Sequence, residues 1–183
     1  MGQVKRGISA CMMLKNEEKN LPGLLENING VVDEIVAIDH ESADSTKEIL
    51  KNAGAVILEM PDPAKMAGTR WGDVERPMLN EHASHEWILH IDADERLTSE
   101  LKANIRKLTG QNEYDVIWLY SRHFYAPGKW FRHGFYAPHR EPRLYRKSCK
   151  TQWNVRIHEA PKIEGRPLYS DFAYDHLFYT AGE

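Results

Sequence analysis

The sequence has no apolar run approaching the roughly 20 residues that a membrane-spanning helix needs. Its 183 residues include only two cysteines, Cys11 and Cys149, too few for a Cys-rich metal site. Cys11 lies in an apolar run and reads as a buried free thiol, and nothing else points to an oxidising compartment. There is no internal repeat, low-complexity tract or obvious linker. No zinc-ligand spacing, helix-turn-helix pattern or aromatic RNA-binding signature is present, so nucleic acid is not an expected partner. Near the first strand pattern there is no Gly-rich loop with a basic residue, which counts against a nucleotidyltransferase. The opening Met1 to Arg6 leads into a strand pattern and not a signal h-region, so the expected location is cytoplasmic.

What is present is an ordinary globular balance of 42% hydrophobic and 28% charged residues. The length fits one domain, 1–183, whose regular half at 1–121 and less regular half at 122–183 differ in pattern. The overall charge of −3 conceals an asymmetry. Between Arg122 and Arg166 there are 11 Lys and Arg against 3 Asp and Glu, a net of +8, so the remainder carries −11. These cations are interleaved with Trp130, Phe131, Phe135, Tyr136, Tyr145 and Trp153, a mixture suited to a pocket for a diphosphate and a sugar.

The first half alternates strand and helix patterns. Ile8 to Leu14 is a short apolar run that ends at Lys15-Asn16-Glu17, a buried strand followed by a loop. Leu21, Leu24, Leu25 and Ile28 fall at helical spacing, with Pro22 in a first turn capped by Asn20. Glu34 to Ile38 reads as a strand ending at Asp39. Ser45 and Glu48 have capping-box spacing for a helix that Gly54 stops, and Ala55 to Leu58 follows as a strand. After an irregular stretch opened by Pro61-Asp62-Pro63, a helix is expected over Asp73 to Ala83, provided Pro77 lies in its first turn. Trp87 to Ile91 is a further strand, running straight into Asp92-Ala93-Asp94-Glu95. Leu101, Ile105 and Leu108 mark a helix, and Val116 to Tyr120 closes the regular part. Alternation of this kind predicts an α/β fold, a mostly parallel sheet flanked by helices. Beyond Ser121 the pattern breaks at Pro127, Gly128, Pro138 and Pro142, which predicts a small antiparallel element in the C-terminal half.

Sheets of this type bind ligands at the carboxyl ends of their strands, where Asp39 and Asp92 fall. A hard divalent cation takes carboxylate oxygens and leaves positions for substrate phosphates, so Asp92 and Asp94 are the candidate metal ligands. Asp39 is suited to accept from a nucleobase imide or a ribose hydroxyl; the alternative is a local cap. Arg156-Ile157-His158-Glu159 combines a cation, an imidazole and a carboxylate. Glu159 is the candidate general base for an acceptor hydroxyl, and His158 is either that base or a metal ligand. His176 is a looser candidate for a metal or phosphate contact.

These residues carry a resemblance. Ile8 to Glu18, Val32 to Asp39 and Trp87 to Glu95 resemble the opening strand, second strand and acidic motif of family 2 glycosyltransferases. Arg143-Leu144-Tyr145-Arg146 and Arg156 to Glu159 are similar to later segments of that family's lipopolysaccharide-core glucosyltransferase-like members. The resemblance implies a GT-A fold and inverting transfer from a nucleotide-diphospho-sugar donor to a saccharide or other hydroxyl acceptor. It also implies dependence on Mn²⁺ or Mg²⁺ and a place in polysaccharide biosynthesis. It carries the base-contacting acid onto Asp39, the metal and diphosphate motif onto Asp92 and Asp94, and a third-helix arginine onto Arg76. Glu17, closing the first run, is expected on the nucleotide side with them. The chain departs from the family where His40 and Glu41 replace a small residue and a glycine, and where Pro77 replaces an asparagine. It also lacks the C-terminal helices that many relatives use for acceptors or membranes, which leaves a larger parent protein and a peripheral membrane contact open.

Overall fold

A computed structural model describes residues 4–60, 74–153 and 161–179. Strand β1 (Lys5–Leu14) is buried over most of its length, as a central parallel strand flanked on both faces must be. It pairs in parallel with β2 (Glu34–Asp39) on one side and β4 (His85–His90) on the other. The short β3 (Val56–Leu58) extends β2, again in parallel. Four parallel strands in the order β3-β2-β1-β4 thus form the first part of the sheet.

Helix α1 (Leu21–Ile28) buries Leu21, Leu24 and Ile28, each worth about 1.5–3 kcal/mol on removal from water. Pro22 lies in its first turn as expected, but Asn20 does not cap it; the Asn20 side chain donates instead, Nδ2 to Glu17 Oε2 at 2.9 Å. Helix α2 (Thr46–Asn52) follows β2. Its expected capping box is absent because Asp44 does that work, accepting from the Thr46 amide at 3.0 Å, while the Ser45 amide goes to Glu18. Gly54 stops it with a left-handed φ of 71°. Helix α3 (Glu75–His82) begins within the range expected for it, so Pro77 falls in its first turn, where no intrahelical donor is lost. After β4 come β5 (Glu95–Leu97) and α4 (Ser99–Thr109), which Thr98 caps by accepting from the Leu101 amide at 3.2 Å.

The second half is more regular than its sequence suggests. Strands β6 (Val116–Ala126), β8 (His139–Arg146) and β11 (Pro167–Leu177) enter the same sheet, which continues β4-β8-β6-β11-β5, with β7 (Lys129–Trp130) as a hairpin on β6. β8 runs antiparallel to both β4 and β6. Pro142 is tolerated there because it sits at the register shift opposite Trp118, where the ladder is already interrupted. β11 runs parallel to β6 with a shift between Tyr169 and Ala173. The small antiparallel element is the separate pair β9 (Thr151–Gln152) and β10 (Lys162–Ile163). The result is an α/β fold with a mostly parallel central sheet flanked by helices. Among the described residues no helix is long and apolar enough to cross a membrane. Both cysteines are free, and burial pushes the Cys11 thiol far up.

Candidate functional site

The loops leaving β1 and β2 are stitched into one surface. Asn16 takes a left-handed φ of 56°, its amide donating to Ser42 Oγ at 2.9 Å and its side-chain oxygen accepting from the Ala43 amide at 2.8 Å. The Glu17 amide donates to Thr46 Oγ1 at 2.7 Å. Asp39, buried at the end of β2, accepts from both the amide and the hydroxyl of Ser42. A carboxylate offers about four lone-pair sites, so this local turn leaves room for a further donor. Glu41 also sits at a left-handed φ of 54°, a backbone shape glycine adopts without strain. Its neighbour His40 turns inward, 3.7 Å from the buried Glu75 of α3.

At the end of β4, Asp92 and Asp94 lie in the turn before β5. The turn is closed on itself: the Asp92 amide donates to Glu95 Oε2 at 2.8 Å, and the Glu95 amide to the Asp92 carbonyl at 3.0 Å. Arg96 locks it against α1 by donating to the Ala93 carbonyl at 2.7 Å and the Asn20 carbonyl at 2.9 Å. This approach is open because residue 23 is glycine; a Cβ there would lie 2.6 Å from the Arg96 guanidinium. Glu17 faces the same acids. Burial raises its carboxyl, and Asp94, Asp92 and Asp44 push it further up.

Beneath the turn, Arg143 of β8 is nearly enclosed. It donates to Glu95 Oε1 at 2.7 Å and to Glu141 Oε2 at 2.8 Å, and stands 3.8 Å from Asp92 Oδ2. Tyr174 of β11 donates to the same Glu141 oxygen at 2.8 Å. Burial pushes the Glu95 carboxyl up and Arg143 pulls it back, while the three acids and Tyr174 hold the guanidinium charged. His176 of β11 reaches the turn from the other side, Nε2 to Asp94 Oδ2 at 3.1 Å. Burial draws this imidazole down, but the hydrogen bond and charge of Asp94 overcome it and hold the pKa above its ordinary value.

Next to His176 stand two more imidazoles. His123 lies with its ring 5.1 Å from that of His176 and 5.5 Å from that of His139. Burial, with two cationic neighbours, pushes His123 down to about 4, so it is neutral near pH 7. His139 is raised by its bond to Glu141 Oε1 at 2.8 Å.

Arg76 of α3 lies over the Trp153 ring at 4.9 Å, and Trp153 packs on the buried His90 at 4.9 Å between ring centroids. Glu159 and His158 lie outside the described residues. Among the described residues, no three His, Cys, Asp or Glu side chains converge as a closed cage for a metal ion. Mg²⁺ and similar ions take one or two protein carboxylates and complete their shell with phosphates and water. The acid pair, partly exposed beside His176, fits that demand.

Residues 9–163 match the model of glycosyl transferase family 2. The chain belongs to this family. It is 32% identical over 115 residues to an uncharacterized glycosyltransferase of Rickettsia felis, covering 62% of this chain and 38% of that one. Over 186 residues it is 24% identical to the SPbeta prophage-derived glycosyltransferase SunS of Bacillus subtilis, covering 96% of this chain and 39% of the relative. The chain therefore spans well under half the length of these relatives. Among solved structures, S. aureus TarS 1–349 in complex with UDP-GlcNAc shares the fold with a TM-score of 0.64 at 15% identity, over 96% of this chain and 59% of that one.

In this family 2 domain Asp39 ends β2, Asp92 and Asp94 follow β4, the Glu17 carboxyl feels both of those acids, and His176 contacts Asp94; sequence reasoning named these five without their mutual contacts. It missed Arg143, Glu95, Glu141, Tyr174 and His123 as parts of the site. Arg143 and Glu95 were within reach, because each lies inside a segment that resembles the family's motifs. His123 was not, because its position follows only from the parallel pairing of His123 with His176.

Proposed function

We propose that this domain transfers a sugar, with inversion, from a nucleotide-diphospho-sugar to a hydroxyl of a saccharide or similar acceptor, with Mn²⁺ or Mg²⁺. The observation that carries the reading is the contact of His176 with Asp94 in the acidic turn that follows β4, with Glu17 and Asp39 on the neighbouring strand ends. Asp39 accepts from the nucleoside part, and Arg76 and Glu17 line its approach. Asp92 and Asp94, with His176, are the residues that would hold the divalent ion. Such an ion, when bound, neutralises charge on the departing diphosphate.

Inversion needs a single displacement. The acceptor oxygen bonds to the anomeric carbon as the bond from that carbon to phosphate oxygen breaks, its electron pair leaving with the nucleoside diphosphate. The acceptor proton passes to a base, assigned to Glu159 with His158 as the competing residue. Residues 1–121 serve the donor and 122–183 the acceptor. A thermal-shift screen of nucleotide-sugars with and without Mn²⁺, followed by a transfer assay on the positive donors, tests the reading. A metal-dependent rise in melting temperature with one nucleotide-sugar class supports it. No response to any nucleotide or nucleotide-sugar overturns it.

A further inference from the structure

An array of aromatic rings begins at the acid pair and runs out to the surface. His176, bonded to Asp94, meets Phe178 at 4.7 Å between ring centroids, and Phe178 meets Tyr136 at 5.0 Å. Tyr136 continues to Phe135 at 5.1 Å and Phe131 at 5.4 Å, and Phe131 to Tyr125 at 4.8 Å. These rings are not core. Phe135 is 70% exposed, Tyr125 49%, Tyr136 43% and Phe178 42%. Four large aromatics exposed in one contiguous patch mark an interaction surface.

The segment that carries most of the patch has charge of one sign. From Arg122 to Arg140 the sequence contains no Asp or Glu. Arg122 and Arg140 are engaged by Asp175 and Asp171. Lys129 and Arg132 are exposed and have no carboxylate partner among the described residues; the Arg132 guanidinium lies over Trp130 at 5.2 Å. Aromatic rings interleaved with uncompensated cations are the composition that seats in the headgroup region of an anionic bilayer.

We propose that the Tyr125–Phe131–Tyr136–Phe178 face, with Lys129 and Arg132, docks on an anionic lipid surface. Because the array starts at His176, docking turns the acid pair toward the membrane, where a lipid-borne hydroxyl compound would be presented. The proposal does not depend on sugar transfer, and its test uses neither donor nor acceptor, so each reading can fail alone.

The test is co-sedimentation of the full chain with phosphatidylcholine vesicles, with and without phosphatidylglycerol. Binding is expected only with the anionic lipid and is expected to weaken with salt. Removing two apolar rings in Phe135→Ser/Tyr136→Ser should weaken partition about tenfold or more at an unchanged melting temperature. Lys129→Glu/Arg132→Glu should abolish the preference for phosphatidylglycerol. Tyr169→Ser removes an equally exposed ring from the far end of β11 and should bind like the parent. The proposal is overturned if the parent does not sediment with anionic vesicles, or if both double variants bind as it does. It is likewise overturned if the patch variants abolish a dimer of this chain and leave vesicle binding intact.

Discussion

Asp94 Oδ2 and His176 Nε2 lie 3.1 Å apart although 82 residues separate them in the chain. The contact is made by the antiparallel pairing of β11 with β5, which sets His176 opposite Glu95. It joins the acidic turn to the last strand. Asp92→Asn and Asp94→Asn are each expected to abolish Mn²⁺-dependent binding of a nucleoside diphosphate with the fold retained. His176→Ala should weaken it about 10- to 100-fold, as loss of a group orienting a ligand does. Calorimetry with and without Mn²⁺ checks all three, and unchanged metal-dependent affinity in both aspartate variants would remove the assignment.

The Arg143 and Glu95 pair should dominate stability around the site. Both are nearly enclosed, and removing one partner strands the other charge in low dielectric. Arg143→Met is therefore expected to cost about 3–5 kcal/mol in urea denaturation. Glu95→Leu combined with Arg143→Met should cost less than the single change, because the enclosed Glu95 is then not left without its cation, while Glu141 keeps His139 and Tyr174. A double variant weaker than Arg143→Met would show that the pair is held for another reason.

Asp39 invites a different measurement. Its carboxylate serves Ser42 and has capacity left for a nucleoside donor. Losing a hydrogen bond to a charged group costs on the order of 1.5–3 kcal/mol, roughly 10- to 150-fold in affinity. Asp39→Ala should show that loss for the nucleoside part with or without metal, because Asp39 lies on a different strand end from the acid pair. If Asp39→Ala binds nucleotide as tightly as the parent, the residue caps its loop and does nothing more.

The parallel half of the fold was legible because β1, β2 and β4 are buried on both faces and read as apolar runs. Acids directly at their ends, Asp39 and Asp92, stand out against such runs. The other half hid for a physical reason. β6 and β8 carry buried aromatics and cations such as Tyr145 and Arg143, and Pro142 interrupts a strand at a ladder shift that no local pattern announces. Tyr174 of β11 reaches Glu141 and Arg143 of β8 only through the register of both strands on β6. The expected base at Glu159 lies outside the described residues.

A pH-dependent stability is expected at Asp115, where β6 begins. Hydrogen bonds from Arg166 hold its carboxyl down at about 2, below the unfolded value of about 3.9. A depressed carboxyl contributes stability that is fully present above the unfolded value and lost as pH falls through the folded one. The melting-temperature gap between the parent and Asp115→Asn should thus be constant above about pH 5 and close between roughly pH 4 and 2. A gap independent of pH would assign the loss to packing.

The base is the most exacting of these expectations. Glu159→Gln should bind donor and metal like the parent but transfer sugar far more slowly, because the amide keeps the shape and cannot take the acceptor proton. A positioned general base contributes about 10²–10⁴-fold, so the fall in kcat should lie in that range with donor affinity unchanged. His158 is the competitor, and the two are separated by their pH profiles as well as by rate. With a carboxylate base, the acid limb of kcat follows a group titrating in the carboxylate range. With an imidazole base it moves to the range near 6.5. If His158→Ala loses the rate and Glu159→Gln keeps it, the roles exchange. If neither slows transfer even about tenfold, proton abstraction is done by another residue. The neutral His123 beside His176 is then the next to substitute, since it already holds an unprotonated imidazole next to the residue that contacts Asp94.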